Sequence, residues 1–251
     1  MRPFIVIRQF ESDDTIARKD LIRQYVMSFA FDAFTSCLFR EIFLQLVVLV
    51  AAVMFIFFNF PLIICASSIP FVIIFIYISV YGAYLTKAIE LSHDPITSCW
   101  IAEAYEPYLM SLSFNNDSLE YDIVPESRLQ STDFELNRMK RTLIGTISIE
   151  SHRSLHGAGW LSHFAISSKF NFDKVAEPLI HRTLKHAIEQ QFYSVEMVTT
   201  ECQSQLREVL LKIGFDMKQI YHQYILANNN LRIMKSQMGI DLNTWTKSKN
   251  K

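Results

Sequence analysis

The run IFLQLVVLVAAVMFIFFNFPLIICASSIPFVIIFIYISVYGAYL, from Ile42 to Leu85, contains no Asp, Glu, Lys, Arg or His. About 20 helical residues cross the apolar core of a bilayer at about 1.5 Å per residue, so the run suits two crossings and is too long for one. Asn59-Phe60-Pro61 and Ser67-Ser68-Ile69-Pro70 offer places to turn. A helical pair in a soluble core would keep a polar stripe, which this run lacks. It begins too late and extends too far for a cleaved signal peptide. A membrane hairpin over 41–86 is therefore expected, after a leading segment at 1–40 and before 87–230 and a basic tail at 231–251.

The charges balance, with 24 Lys and Arg against 25 Asp and Glu, so no basic bias points to nucleic acid. Cys37, Cys65, Cys99 and Cys202 are scattered with no regular spacing, which argues against a disulfide framework or a zinc site and suits a reducing compartment. His152, His156 and His163 have no acidic or thiol fourth ligand nearby in sequence, and no metal is expected.

Around the hairpin the chain alternates between the two basic periodicities. FIVIRQFE (Phe4 to Glu11) reads as a strand, and the segment from Ser12 spaces Ile16, Leu21, Ile22, Tyr25, Val26 and Phe29 as a helix. CWIAEA and TLIGTISIES read as strands, separated by a polar loop insertion over 106–141. GWLSHFAI, SVEMVTTE and MKQIYHQYIL are further strands, interleaved with the helices VAEPLIHRTLKHAIEQQ and SQLREVLLKIGF, the second stopped at Gly214. The expected fold class is α+β, a mixed sheet interrupted early by the hairpin. If the first strand joins the later ones in one sheet, both flanks of the hairpin share one side of the membrane. Arg18, Lys19, Arg23, Arg40 and Lys87 make that side cytosolic.

The ordered set IRQFESDD, hairpin, CWIAEA, LSHFAI and LLKIGF resembles the GCN5-related N-acetyltransferase superfamily, and within it the camello-like, membrane-anchored branch. The resemblance implies an acyl-CoA N-acyltransferase fold whose central strand splays from its neighbour to admit acetyl-CoA. It implies transfer of acetyl to a primary amine on a small molecule, amino-acid conjugate, peptide or lysine. Phe164, Ala165 and Ile166 would pair with the pantetheine arm. The pyrophosphate would sit at a helix start formed by Asn171, Phe172, Lys174, Val175 and Ala176, and Gln203 would help shape the pocket.

At the signature positions Gln/Arg-x-x-Gly-x-Gly/Ala this chain carries Asn171, Lys174 and Ala176, and Leu210 stands where many members have a tyrosine. The resemblance leaves His163 as candidate base or substrate contact, with Tyr221 and Tyr224 as alternatives on the last strand. Two readings stay open, an active enzyme and an inactive binding or scaffolding protein on the same fold. The terminal KSKNK resembles a dilysine retrieval signal read by coat proteins, which implies residence in the endoplasmic-reticulum membrane with both termini cytosolic.

Overall fold

Alternating apolar side chains extend Phe4–Gln9 into β1, and a capping box follows in which the Glu11 N–H donates to the Asp14 carboxylate at 3.1 Å. That cap opens α1 (Thr15–Ser28), continued by α2 (Ala30–Leu38). The computed structural model describes residues 3–39, 41–94, 98–107, 121–125, 139–224 and 232–249. Next come α3 (Glu41–Phe58), a short α4 (Leu62–Cys65) and α5 (Ser68–His93). Asn59, in the left-handed region at φ 55°, closes α3, and Ser67 precedes α5, so both turns fall where the sequence places them.

β2 (Ser98–Pro107), β3 (Asp122–Pro125), β4 (Met139–Ser151), β5 (Ala158–Ile166), α6 (Phe172–Glu189), β6 (Ser194–Thr200), α7 (Ser204–Ile213), β7 (Asp216–Tyr224), β8 (Arg232–Asp241) and α8 (Leu242–Lys249) complete the chain. The strands form one sheet in the order β3-β1-β2-β4-β5-β6-β8-β7, parallel at β1–β3 and β5–β6 and antiparallel elsewhere.

α6 covers the face that carries Trp100 and Ala102. The Arg182 guanidinium lies 4.2 Å over the Trp100 ring, and a Cβ on Gly145 would meet Val175 at 3.2 Å. α1 covers the opposite face, where Arg18 Nη2 donates to Ser148 Oγ at 3.2 Å and Tyr25 meets Phe164 edge to face. Leu179, Ile180, Leu184, Leu206 and Phe215 are among the fully buried side chains. Gly214 stops α7 at φ 107°, a conformation glycine reaches without steric cost.

Two segments depart from expectation. Residues 232–241, assigned by sequence to a basic tail, form β8 between β6 and β7. Lys235, Gln237 and Gly239 blur the apolar alternation of this strand, yet Gln237 hydrogen-bonds the buried Glu196 across to β6 at 2.6 Å. Lys247 and Lys249 then lie within α8. The 106–141 insertion also contains structure: β2 runs on to Pro107, Asp122–Pro125 adds an edge strand beside β1, and β4 begins at Met139. Its remainder lies outside the described residues.

Among the described residues, one helix, Ile63–His93, is long and apolar enough to cross a membrane, and Ser12–Leu38 with Phe43–Phe58, bent by 66°, forms a second candidate. Val48, Phe55, Phe57, Phe71, Phe75 and Ile78 project outward from α3 and α5, exposing a broad apolar surface. The C-terminal half of α5 packs instead against the domain, where Ala88 and Ser92 are buried and α1 is its neighbour.

Candidate functional site

The parallel pairing of β5 with β6 begins at Ala158↔Ser194 and stops at Leu161↔Met197, while β6 continues along β8 to Thr200↔Lys235. Two residues beyond that stop, His163 sits in the left-handed region at φ 52°, and the register of β5 against β4 shifts there. This bulge bends β5 away from β6. From Ser162 to Ile166 the edge of β5 facing β6 has no strand partner among the described residues. A cavity of about 490 Å³ opens at the end of this edge, where Ile166 lines it.

Tyr25, Phe29 and Phe172 line the cavity with Ile166, Ser167 and Ser168, and Cys202, Gln203, Ser204 and Gln205 close it from the α7 side. The aromatic rings interlock edge to face, Phe29 on Tyr25 at 5.0 Å, Tyr25 on Phe164 at 5.9 Å and Phe164 on Phe172 at 5.9 Å. Gln203 Oε1 accepts the Thr200 N–H at 3.0 Å, which fixes the strand-to-helix junction at the cavity wall. Burial pushes the Tyr25 phenol above its ordinary value, with Gln203 acting in the opposite direction. Asp32, on α2, is the one charged side chain among the lining residues.

The turn below the wedge is held by Ser167 N–H donating to Ile144 O at 2.8 Å. Asn171 then caps α6, its Oδ1 accepting the Lys174 N–H at 3.2 Å. Lys174 is exposed and helical. It is absent from the left-handed non-glycine residues, which among the described residues are Asn59, His163 and Gln191. The steric cost of a lysine in a glycine-type conformation therefore does not arise at this helix start. Val175 and Ala176 are buried against the sheet, and Asp173 pairs with Lys212 at 3.2 Å. Of the residues singled out by sequence, Ile166, Phe172 and Gln203 line the cavity, while Phe164, Ala165, Asn171 and Lys174 are not among its lining residues.

The proton-transfer candidates lie elsewhere. His163 does not line the cavity. Its Nδ1 is 2.9 Å from Ser162 Oγ, and its buried Nε2 faces Asp94 at 3.5 Å without a hydrogen bond. Burial, then the Arg18 charge, holds the imidazole below its usual value against the pull of Asp94 and Glu150. Tyr221 is half-buried on β7, paired with Lys235 of β8, its phenol raised by burial. Tyr224 pairs in register with Arg232 at the end of the same strand. Leu210 is a fully buried core side chain.

Sequence reasoning passed over Tyr25, Phe29, Asp32 and Cys202. Asp32 did leave a signal, as the one acid between Asp20 and Glu41, in a stretch otherwise rich in Phe. A second charged group, away from the cavity, has a structural role. Arg8 donates to Glu103 and Asp14 at 2.7 Å each, and Arg141 adds a bond of 2.7 Å to Glu103, tying β1, α1, β2 and β4 together. Among the described residues there is no group of three side chains able to hold a metal ion.

No family model and no curated protein matches the chain in sequence. Solved structures similar to it include a spermidine N-acetyltransferase from Vibrio cholerae in complex with CoA and spermine, at 10% identity and TM-score 0.46, covering 96% of this chain and 98% of the other. An N-acetyltransferase from Staphylococcus aureus is similar at 12% identity and TM-score 0.45, covering 96% and 99%. A spermidine N-acetyltransferase chimera from Vibrio cholerae and hSSAT is similar at 14% identity and TM-score 0.36 over 42% of this chain, which spans 64% of the length of that protein. The order of its elements, the splay of β5 from β6 and the helix start beneath it are those that the resemblance to the GCN5-related N-acetyltransferase superfamily implies.

Proposed function

We propose that the chain is a membrane-anchored N-acetyltransferase that moves an acetyl group from acetyl-CoA to a primary amine. The observation that carries this reading is the wedge beyond Leu161, where the free edge of β5 runs beside an aromatic-floored cavity and ends at a helix start. The β5 backbone at Phe164, Ala165 and Ile166 offers amide partners to the pantetheine arm. The N–H groups of Phe172 and Asp173, with the exposed Lys174 ammonium, offer positive potential to the pyrophosphate.

In the reaction the neutral amine nitrogen attacks the thioester carbonyl carbon, the C–N bond forms and the C–S bond breaks. The nitrogen sheds a proton and the departing thiolate gains one. His163 serves this site as a positioning residue, because its left-handed bulge creates the wedge.

Membrane anchoring is supported by the outward apolar side chains of α3 and α5, and the number of crossings is constrained by the β1–β2 ladder, from Phe4↔Tyr105 to Gln9↔Trp100. Both strands lie in one sheet, so the segment between them must cross a bilayer an even number of times. A cytosolic domain rests on the basic residues that flank the hairpin.

A second reading, an inactive binding protein on the same fold, is favoured by two observations. Asn171 already occupies the Lys174 N–H, and Leu210 presents no proton donor. Titration calorimetry of the purified full chain with acetyl-CoA, followed by an acetylation assay, separates the two. Micromolar binding with turnover is expected. Absence of heat at millimolar acetyl-CoA would overturn the enzyme reading, and binding without turnover on any amine would select the second.

A further inference from the structure

Cys202 belongs to two environments at once. It lines the cavity, and it packs against the apolar cluster of Ala33, Cys37, Val72, Ile76 and Val80 that joins α2 to the hairpin. The end of the wedge bounded by Cys202 and Asp32 is therefore separated from the apolar helices by one layer of side chains. Asp32 makes no ion pair among the described residues, and behind burial and Glu201 its charge helps keep the Cys202 thiol above its ordinary value. On the outer side of α2, Phe31 is 64% exposed and Phe39 92% exposed, and Phe34 meets Tyr77 of α5 edge to face at 5.3 Å. Exposed apolar side chains of the α3–α5 hairpin and of the α2 segment thus lie beside a cavity whose lining carries a single acid.

We infer that the acceptor is an amphiphilic amine, a primary amine on an apolar chain, with its ammonium drawn to Asp32 and its chain laid along α2 and the hairpin. This deepens the N-acetyltransferase reading and rests on it. One acid matches one ammonium. A polyamine or a basic peptide would leave further cations beside uncharged Gln24, Gln203 and Gln205, where a desolvated cation lacks a counter-charge. The ammonium gives one proton to solvent at the cavity mouth before the nitrogen attacks, so the atom balance of acetyl transfer is unchanged. Asp32 is thereby a specificity-determining residue, and Cys202 part of the wall along which the chain passes.

The test uses the purified full chain in phosphatidylcholine nanodiscs, with acetyl-CoA and the straight-chain series butylamine, octylamine and dodecylamine, beside spermidine and a lysine-bearing peptide. Burial of each methylene is expected to raise kcat/KM about fourfold, so octylamine should exceed butylamine by more than about a hundredfold. Asp32→Asn should lower kcat/KM across the series by about tenfold while keeping its slope. Cys202→Phe should flatten the slope. A series with no dependence on chain length, or turnover confined to spermidine or the peptide, would overturn the amphiphile while leaving the N-acetyltransferase reading in place. Failure of acetyl-CoA to bind would remove that reading itself.

Discussion

His163 shows how one residue sets the geometry of a site it does not line. A non-glycine residue at φ 52° inside a strand carries a conformational cost of about 1–2 kcal/mol, and it persists because the ring is packed and its Nδ1 engaged by Ser162. The ring faces Arg18 from α1, Asp94 after α5 and Glu150 from β4. Its folded value lies below the ordinary value of about 6.5, so the unfolded chain binds the proton first as pH falls. Stability is therefore complete above about pH 6.5 and is lost as pH drops below it toward the depressed folded value. Thermal melts of the detergent-solubilised chain between pH 7.5 and 5.5 should show a falling midpoint. His163→Asn, which tolerates the left-handed region and does not titrate, should reduce that slope. An unchanged slope in the variant would assign the pH effect to other groups.

At the scale of elements, the start of α6 holds a competition between a cap and a ligand. Asn171 satisfies the Lys174 N–H that a phosphate at this helix start would otherwise receive. Asn171→Ala should cost about 1 kcal/mol of stability and should leave acetyl-CoA affinity unchanged or tighter, read by urea unfolding and calorimetry. A large loss of affinity would mean that the Asn171 side chain itself contacts the ligand. Most elements were legible because their periodicity is undiluted. Val175, Leu179, Ile180 and Leu184 mark one face of α6, and Ser194 to Thr200 marks β6. β8 was not legible, because Lys235, Gln237 and Gly239 break its alternation, and Gln237 and Gly239 are accommodated by residues distant in sequence, Glu196 and Lys218. The wedge was foreseeable from the resemblance, since the family implies where the central strand splays. The Asp32–Cys202 side was not, because it forms only when α2 folds back against the junction after β6.

For the whole molecule, sheet pairing and membrane crossing constrain each other. β1 precedes the hairpin and β2 follows it, yet they share a continuous antiparallel ladder, so one crossing is geometrically impossible. α3, with 18 residues, is about 27 Å long, close to the thickness of a bilayer core, and α5 returns over a similar length before its end packs on α1. In the proposed membrane hairpin, the tip at Asn59 to Ser67 lies on the far side from the domain. In a chain whose four native cysteines are replaced, Ser12→Cys and Asn59→Cys report the two faces, since both positions are exposed. In sealed vesicles with the domain outside, a membrane-impermeant maleimide should modify Ser12→Cys at once and Asn59→Cys only after the vesicles are opened. Equal labelling of both without opening would place the hairpin on the surface rather than across the bilayer. It would also remove the apolar route from the bilayer to Asp32, because that route requires α3 and α5 to be embedded beside the wedge.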